Sequence, residues 1–169
     1  FTDVKKSDWS YKAIKYMYGN KYISGTTSTT FSPKMKLTRG MLVTILHNME
    51  GKPNVSGKSK FPDVQNTNEY YYSAVKWASK NNIVNGYNNG KFGPNDPITR
   101  EQLAVMLNQY SIYKGTYKKT NADFTKFSDS NKISDFAKWG MNWAVGTGVI
   151  TGTTEKTLIP QGTASREEA

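Results

Sequence analysis

Gly25-Thr26, then Phe31-Ser32-Pro33, then Leu37-Thr38-Arg39: this stretch decides how the rest of the chain is read, because it is written three times. The second copy is Gly86-Tyr87, Phe92-Gly93-Pro94 and Ile98-Thr99-Arg100. The third is Gly152-Thr153, Leu158-Ile159-Pro160 and Ala164-Ser165-Arg166. Glycine and proline stand 8 residues apart in every copy, and proline and arginine 6. Matched spacings across a glycine, a proline and a cation define an internal repeat, the first property to establish in a chain.

Working outward, each copy opens on a Phe-x-Asp triplet at Phe1-Asp3, Phe61-Asp63 and Phe127-Asp129. An aromatic column follows at Trp9, Tyr70 and Phe136, and a second at Tyr16, Trp77 and Trp143. Copies are offset by 61 and then 66 residues, with the surplus in polar stretches where insertion is cheap. The repeats are expected at 1–53, 61–113 and 127–169, with linkers at 54–60 and 114–126.

The first segment of each repeat has helical spacing. In copy one Ser7 or Asp8 is the expected cap, and Trp9, Ala13, Ile14 and Met17 the apolar face. Copy two has Tyr70, Ala74, Val75 and Ala78 before Asn81-Asn82, and copy three Phe136, Gly140, Met141 and Ala144 before Gly146 and Gly148. The Gly-to-Pro segment is a loop, with a turn at Asn88-Asn89-Gly90. Thr38, Thr99 and Ser165 then sit where a second helix needs its N-cap. Gln102 and Glu168 lie three residues on and complete a capping box, whereas Met41 cannot. Copy three has its second helix truncated, which leaves an apolar face to be covered by residues beyond 169 or leaves the unit poorly closed.

Arg39, Arg100 and Arg166 are each expected at the first helical position, against the positive end of the helix dipole, at a cost of about 0.3–1 kcal/mol. Repeated three times, that placement calls for an anionic partner. A hydrogen bond to a charged group contributes about 1.5–3 kcal/mol and outweighs the dipole term. The partner is either internal, with Asp3, Asp63 and Asp129 recurring as faithfully, or an external carboxylate or phosphate met by helix-start amides as well as the guanidinium. Gly25, Gly86 and Gly152 supply a positive φ or let a ligand approach the backbone. The aromatic columns read first as core, although aromatic faces beside polar groups also suit sugar rings.

The composition excludes much. The chain has no cysteine, which removes disulfides, Cys-ligated zinc and thiol nucleophiles. Its 7 Phe, 11 Tyr and 4 Trp argue against disorder despite an apolar share of 36%. The single histidine, His47, stands mid-helix without a carboxylate cluster, and no nucleophile or phosphate-loop motif is present. No metal, cofactor or catalytic residue is therefore expected. No apolar run approaches the roughly 20 residues of a membrane span, and no secretory leader is visible. Beginning on Phe1 and ending on Ser-Arg-Glu-Glu-Ala, the chain reads as a piece of something larger. The net charge of +10 is uneven: +8 over residues 1–60, +3 over 61–126 and −1 over 127–169. A basic first third favours a polyanionic partner or is a solvated lysine-rich face. The basic residues form no single stripe, which argues against nucleic acid.

Taken in this order, Phe-x-Asp-Val, the helix-one aromatic, the aliphatic pair with glycine, Phe-x-Pro and the Thr-Arg signature resemble the S-layer homology (SLH) domain family over nearly the whole chain. The signature stands here as Thr38-Arg39-Gly40-Met41, Thr99-Arg100-Glu101-Gln102 and Ser165-Arg166-Glu167-Glu168. The resemblance implies a mainly α domain of three helix-loop-helix repeats packed as three prongs about a pseudo-threefold axis. It implies non-covalent anchoring of an exported bacterial protein to the cell wall. Grooves between repeats would bind secondary cell wall polysaccharide carrying a pyruvate ketal on N-acetylmannosamine. In that reading Arg39, Arg100 and Arg166 meet the pyruvyl carboxylate, the backbone at Gly25, Gly86 and Gly152 lies against the sugar, and Thr38, Thr99 and Ser165 flank it. Asp3, Asp63, Asp129, Trp9, Tyr70 and Phe136 are secondary candidates. Gly40, Glu101 and Glu167 replace the signature alanine, so the grooves are not equivalent. Two other roles remain compatible: a structural segment that drives S-layer self-assembly, and the targeting part of a larger wall hydrolase.

Overall fold

The computed structural model describes all 169 residues, 1–169. Five α-helices carry the fold: α1 (Tyr11–Gly19), α2 (Arg39–Met49), α3 (Tyr72–Lys80), α4 (Arg100–Tyr113) and α5 (Lys138–Gly146). Single 3-10 turns at Ser130–Lys132 and Asp135–Ala137 precede α5. There is no strand, only isolated bridges such as Lys36 to Ser165 and Thr99 to Thr163. The protein is mainly α with three repeats, as its spacing implies.

The chain divides into two compact units. The first comprises Phe1–Lys80, Gly86–Pro97 and Ala164–Ala169, and in it α2 packs on α3. Leu42, Val43, Ile45 and Leu46 of α2 and Ala74, Val75, Trp77 and Ala78 of α3 are buried, together with Phe31, Leu37, Phe61 and Phe92 from the loops. The second comprises Asn81–Asn85 and Ile98–Thr163, and in it α5 packs on α4 around Ala104, Phe127, Met141, Trp143 and Leu158. In both units the packed pair joins the second helix of one repeat to the first helix of the next. The repeat in sequence and the pair in space are thus out of phase by one helix.

The second-helix caps of copies one and two form as read. Thr38 Oγ1 accepts from the Met41 amide at 3.2 Å without a reciprocal bond, and Thr99 with Gln102 makes the full box. Copy three departs from the expected box: no helix follows Ser165, its amide and hydroxyl both donate to the Glu168 carboxylate at 2.7 and 2.8 Å, and the Glu168 amide donates to Ser165 O. The first helix of copy one departs from expectation. Its N-cap is Ser10, with no side-chain cap bond, and Asp8 instead accepts from the Lys5 amide in the preceding turn. Of its expected apolar face only Ile14 is buried, and Ala13 is exposed. Asn81-Asn82 does close α3: Asn82 takes φ 58°, matched by Lys21 at 61° and Gly148 at 78° in the other copies.

The first aromatic column is not core. Trp9, Tyr70 and Phe136 are 72%, 54% and 61% exposed. In the second column Trp77 and Trp143 are buried, while Tyr16 is exposed.

Candidate functional site

Each loop is built the same way from its own repeat. The carboxylate at the head of the repeat accepts two successive backbone amides, Phe31 and Ser32 for Asp3, Phe92 and Gly93 for Asp63, and Leu158 and Ile159 for Asp129, at 2.7–2.9 Å. The second amide of each pair belongs to a left-handed residue: Ser32 at φ 58°, Gly93 at 68° and Ile159 at 49°. A β-branched residue is strained there, and the two carboxylate bonds hold it in place. Amide bonds from Phe31 and Ser32 draw the Asp3 carboxyl below its ordinary value, against burial, which works to raise it. For Asp129 burial again works upward, and the amides of Leu158 and Ile159 outweigh it.

The module glycines answer to close approach. A Cβ at Gly25 would lie 2.5 Å from the Phe1 ring and 2.5 Å from the Thr27 carbonyl; at Gly86 it would lie 2.6 Å from the Lys91 carbonyl and 2.7 Å from the Phe61 ring. Only Gly152, at φ 101°, also needs the conformational freedom expected of all three. The first residue of each repeat therefore explains its glycine: the opening phenylalanine packs where a side chain would stand.

The arginines are buried, and the contact that recurs is with a carbonyl of another copy. Arg39 Nε donates to Phe92 O at 2.8 Å, Arg100 Nε to Leu158 O at 2.8 Å and Arg166 Nε to Phe31 O at 3.0 Å. Each acceptor is the residue whose own amide is held by the loop aspartate. The aspartates hold the loop amides, and the charges of Asp63 and Asp3 also favour the cationic forms of Arg39 and Arg166. Burial pulls the guanidinium of Arg39 below its ordinary value, with Tyr87, Asp96 and Asp63 opposing; for Arg166 burial acts the same way, with Tyr70 and Asp3 opposing. Both remain cationic across the physiological range.

Helix-start amides are equally committed. Arg39 and Gly40 donate to Asp96 O and Pro94 O, Arg100 and Glu101 to Gly162 O and Pro160 O, and Arg166 and Glu167 to Met35 O and Pro33 O, at 2.8–3.0 Å. With the third amide on the cap hydroxyl in α2 and α4, no free amide nest for an anion remains there, contrary to expectation. The converging carbonyls also explain why a cation is tolerated at this position. Their negative ends offset the dipole term at short range.

One site keeps open space. Within the first unit a groove of about 860 Å³ is lined by Arg166, Gly25, Thr26, Met41 and Tyr70, and continues past Tyr22, Asn48 and His47 to Lys52 and Asn54. It brings together three sequence candidates from three different copies: Arg166, Gly25 and Tyr70. Arg166 Nη2 donates to Ser24 O at 2.7 Å, while Nη1 meets only the Met41 sulfur, at 4.0 Å. A thioether is a weak acceptor for a guanidinium N–H. His47 is held by its Nε2 against Pro53 O at 3.0 Å and its ring on Trp77, with no metal-binding group of side chains in the chain. Trp9 lies apart, in a second cavity of about 500 Å³ with Asp3, Lys34 and Glu167. Thr38 and Thr99 are helix caps, and Ser165 is tied to Glu168 in a turn. Sequence reasoning missed Met41, Lys52 and Asn54 as groove residues, because nothing local marks a side chain that becomes a wall through contact with another repeat.

The family model described as S-layer homology domain matches residues 1–40, 60–104 and 126–169. Among similar proteins, an endoglucanase of Bacillus sp. (strain KSM-635) is 33% identical over all of this chain, which covers 18% of that protein. The surface-layer 125 kDa protein of Lysinibacillus sphaericus is 31% identical over 95% of the chain and 13% of its own length. A cellulosome-anchoring protein of Acetivibrio thermocellus is 23% identical over 88% of the chain and 33% of its own length. The chain spans less than a fifth of the length of the first relatives it matches.

Proposed function

Because the chain belongs to the S-layer homology domain family, we propose that it anchors a larger exported protein to the bacterial cell wall by binding anionic secondary cell wall polysaccharide. The binding site in this reading is the Arg166 groove, and the epitope is a pyruvylated N-acetylmannosamine. The observation that carries it is Arg166 Nη1, a buried cationic donor at the groove wall whose only partner is the Met41 sulfur. A ketal carboxylate takes that donor in a charge-assisted bond of about 1.5–3 kcal/mol. Tyr70 offers a half-exposed ring to the apolar face of the sugar, and the Ser24–Thr26 backbone flanks it. Burial strengthens the pair, since the carboxylate meets the guanidinium away from bulk water.

In this reading the chain is the non-catalytic anchoring module of its family, beside whatever other domains the larger protein carries. Its location is the wall or surface of a bacterium, and no helix is long and apolar enough to cross a membrane. Relatives named as an endoglucanase and a cellulosome-anchoring protein support a targeting role beside other domains, and the surface-layer relative supports a place in an S-layer. Sedimentation with purified walls tests the reading. The chain is expected to co-sediment, and Arg166→Gln to remain in the supernatant while melting within a few degrees of the parent. Co-sedimentation of a folded Arg166→Gln variant at parental levels would refute the groove assignment.

A further inference from the structure

The Arg39 site carries the same module as the Arg166 site, and two of the positions at which it differs are paired. Where Thr26 follows the glycine in copy one, Tyr87 follows it in copy two. The Tyr87 ring centroid lies 4.5 Å from Arg39 Cζ, and the Phe92 centroid 4.7 Å. At Arg166 only Phe31 packs this way, at 4.5 Å. The second difference makes room for the first. The left-handed residue is Ser32 in copy one, where its hydroxyl bonds Thr26 Oγ1 at 2.7 Å. In copy two it is Gly93, and a Cβ there would meet both the Asp96 carboxylate and, at 2.6 Å, Tyr87 Cε2. The hydroxyl pair of copy one is thus replaced by a ring lying over a glycine. Tyr87 is fixed further by its amide, which donates to Lys91 O at 2.7 Å, closing the Asn88-Asn89-Gly90 turn. The cavity of about 380 Å³ beside it is lined by Tyr87, Asp63, Lys91 and Asp96, and Arg39 is not part of its wall.

We propose that Tyr87 is a built-in plug that keeps Arg39 from the polysaccharide, so that the first unit presents one working groove, at Arg166, and a second that a single side chain holds shut. The inference rests on the reading of Arg166 as the carboxylate-binding residue. It makes the residue after the module glycine the selector of which grooves bind: threonine leaves the guanidinium accessible, tyrosine stacks on it. A second ring against the guanidinium stabilises the cation further and narrows the approach of a carboxylate to its N–H edges, which the single Phe31 contact at Arg166 does not.

The test follows the assigned arginine Nε–Hε resonances of the full chain during titration with a pyruvylated N-acetylmannosamine glycoside. In the parent, Arg166 is expected to shift with saturation and Arg39 to stay in place. In Tyr87→Thr both should shift, with the bound sugar rising by one equivalent, and Tyr87→Phe should behave as the parent. Should Tyr87→Thr fold poorly, Tyr87→Leu, which keeps apolar bulk but removes the aromatic face, is expected to shift at Arg39 in the same way. Shifts at Arg39 in the parent, or none at Arg39 in the opened variants while Arg166 responds, would overturn the plug. An unresponsive Arg166 in the parent would remove the groove reading and this inference together.

Discussion

Arg39 and Arg100 stand where a helix least tolerates a cation, Arg166 opens the matching turn, and each donates its Nε to a carbonyl from another repeat. The same peptide is gripped from its other side, because the loop aspartate also holds the amide of the next residue, Ser32, Gly93 or Ile159. Acid should release that grip in a defined window. The Asp3 and Asp129 carboxyls sit below their ordinary 3.8 in the folded chain. A depressed carboxyl stabilises the fold above the unfolded value, and that contribution is lost as pH falls through the lower folded value. Hydrogen-exchange protection of the Leu158 and Ile159 amides, corrected for intrinsic rates, is therefore expected to hold from neutrality to about pH 4 and to fall below it. Asp129→Asn should start lower and lose this pH dependence. A variant with the parental acid profile would show that another group controls the loop.

At the scale of helices, the contact of α5 on α4 depends on Gly140. A Cβ there would lie 2.8 Å from Val105 Cα and 2.9 Å from Val105 N, backbone atoms that cannot swing aside. Gly→Ala in an exposed helix interior stabilises by about 0.5–1 kcal/mol. Overpacking a tight contact costs about 1–3 kcal/mol, so the steric term wins and Gly140→Ala should lower the unfolding free energy by about 1–2 kcal/mol in urea denaturation. A stabilised variant would mean that the two helices separate freely. This pairing also marks the limit of what the residues disclosed. Thr38 and Thr99 were legible as caps because a cap is a local matter of four residues, whereas at Ser165 no helix follows for it to cap. The repeat itself was legible from its 8- and 6-residue spacings. That α4 would pack on the first helix of the following repeat was not, since periodicity identifies an apolar face and not the face it meets.

For the molecule as a whole, the non-local contacts are where sequence reasoning stopped. Arg166 reaches Phe31 across 135 residues, and Arg39 reaches Phe92 across 53. The misplaced cation could be noticed from the chain, but its carbonyl partner could not. Trp9, Tyr70 and Phe136 read as core by spacing and are surface instead, because each stands just before its α-helix begins rather than on the packed face. Of the site candidates, Arg166, Gly25 and Tyr70 meet in one groove, whereas the caps and the aspartates build the scaffold behind it. Unequal grooves are compatible with firm attachment, since a polymer repeats its epitope and a second engagement gains from effective concentration. The most direct test of the account compares two sugars on the parent protein. Calorimetric titration with a pyruvylated N-acetylmannosamine glycoside and with the same glycoside lacking the ketal isolates the carboxylate. The account predicts at least a tenfold weaker Kd without the ketal, the equivalent of about 1.4 kcal/mol at Arg166. Equal affinity for the two sugars would contradict it.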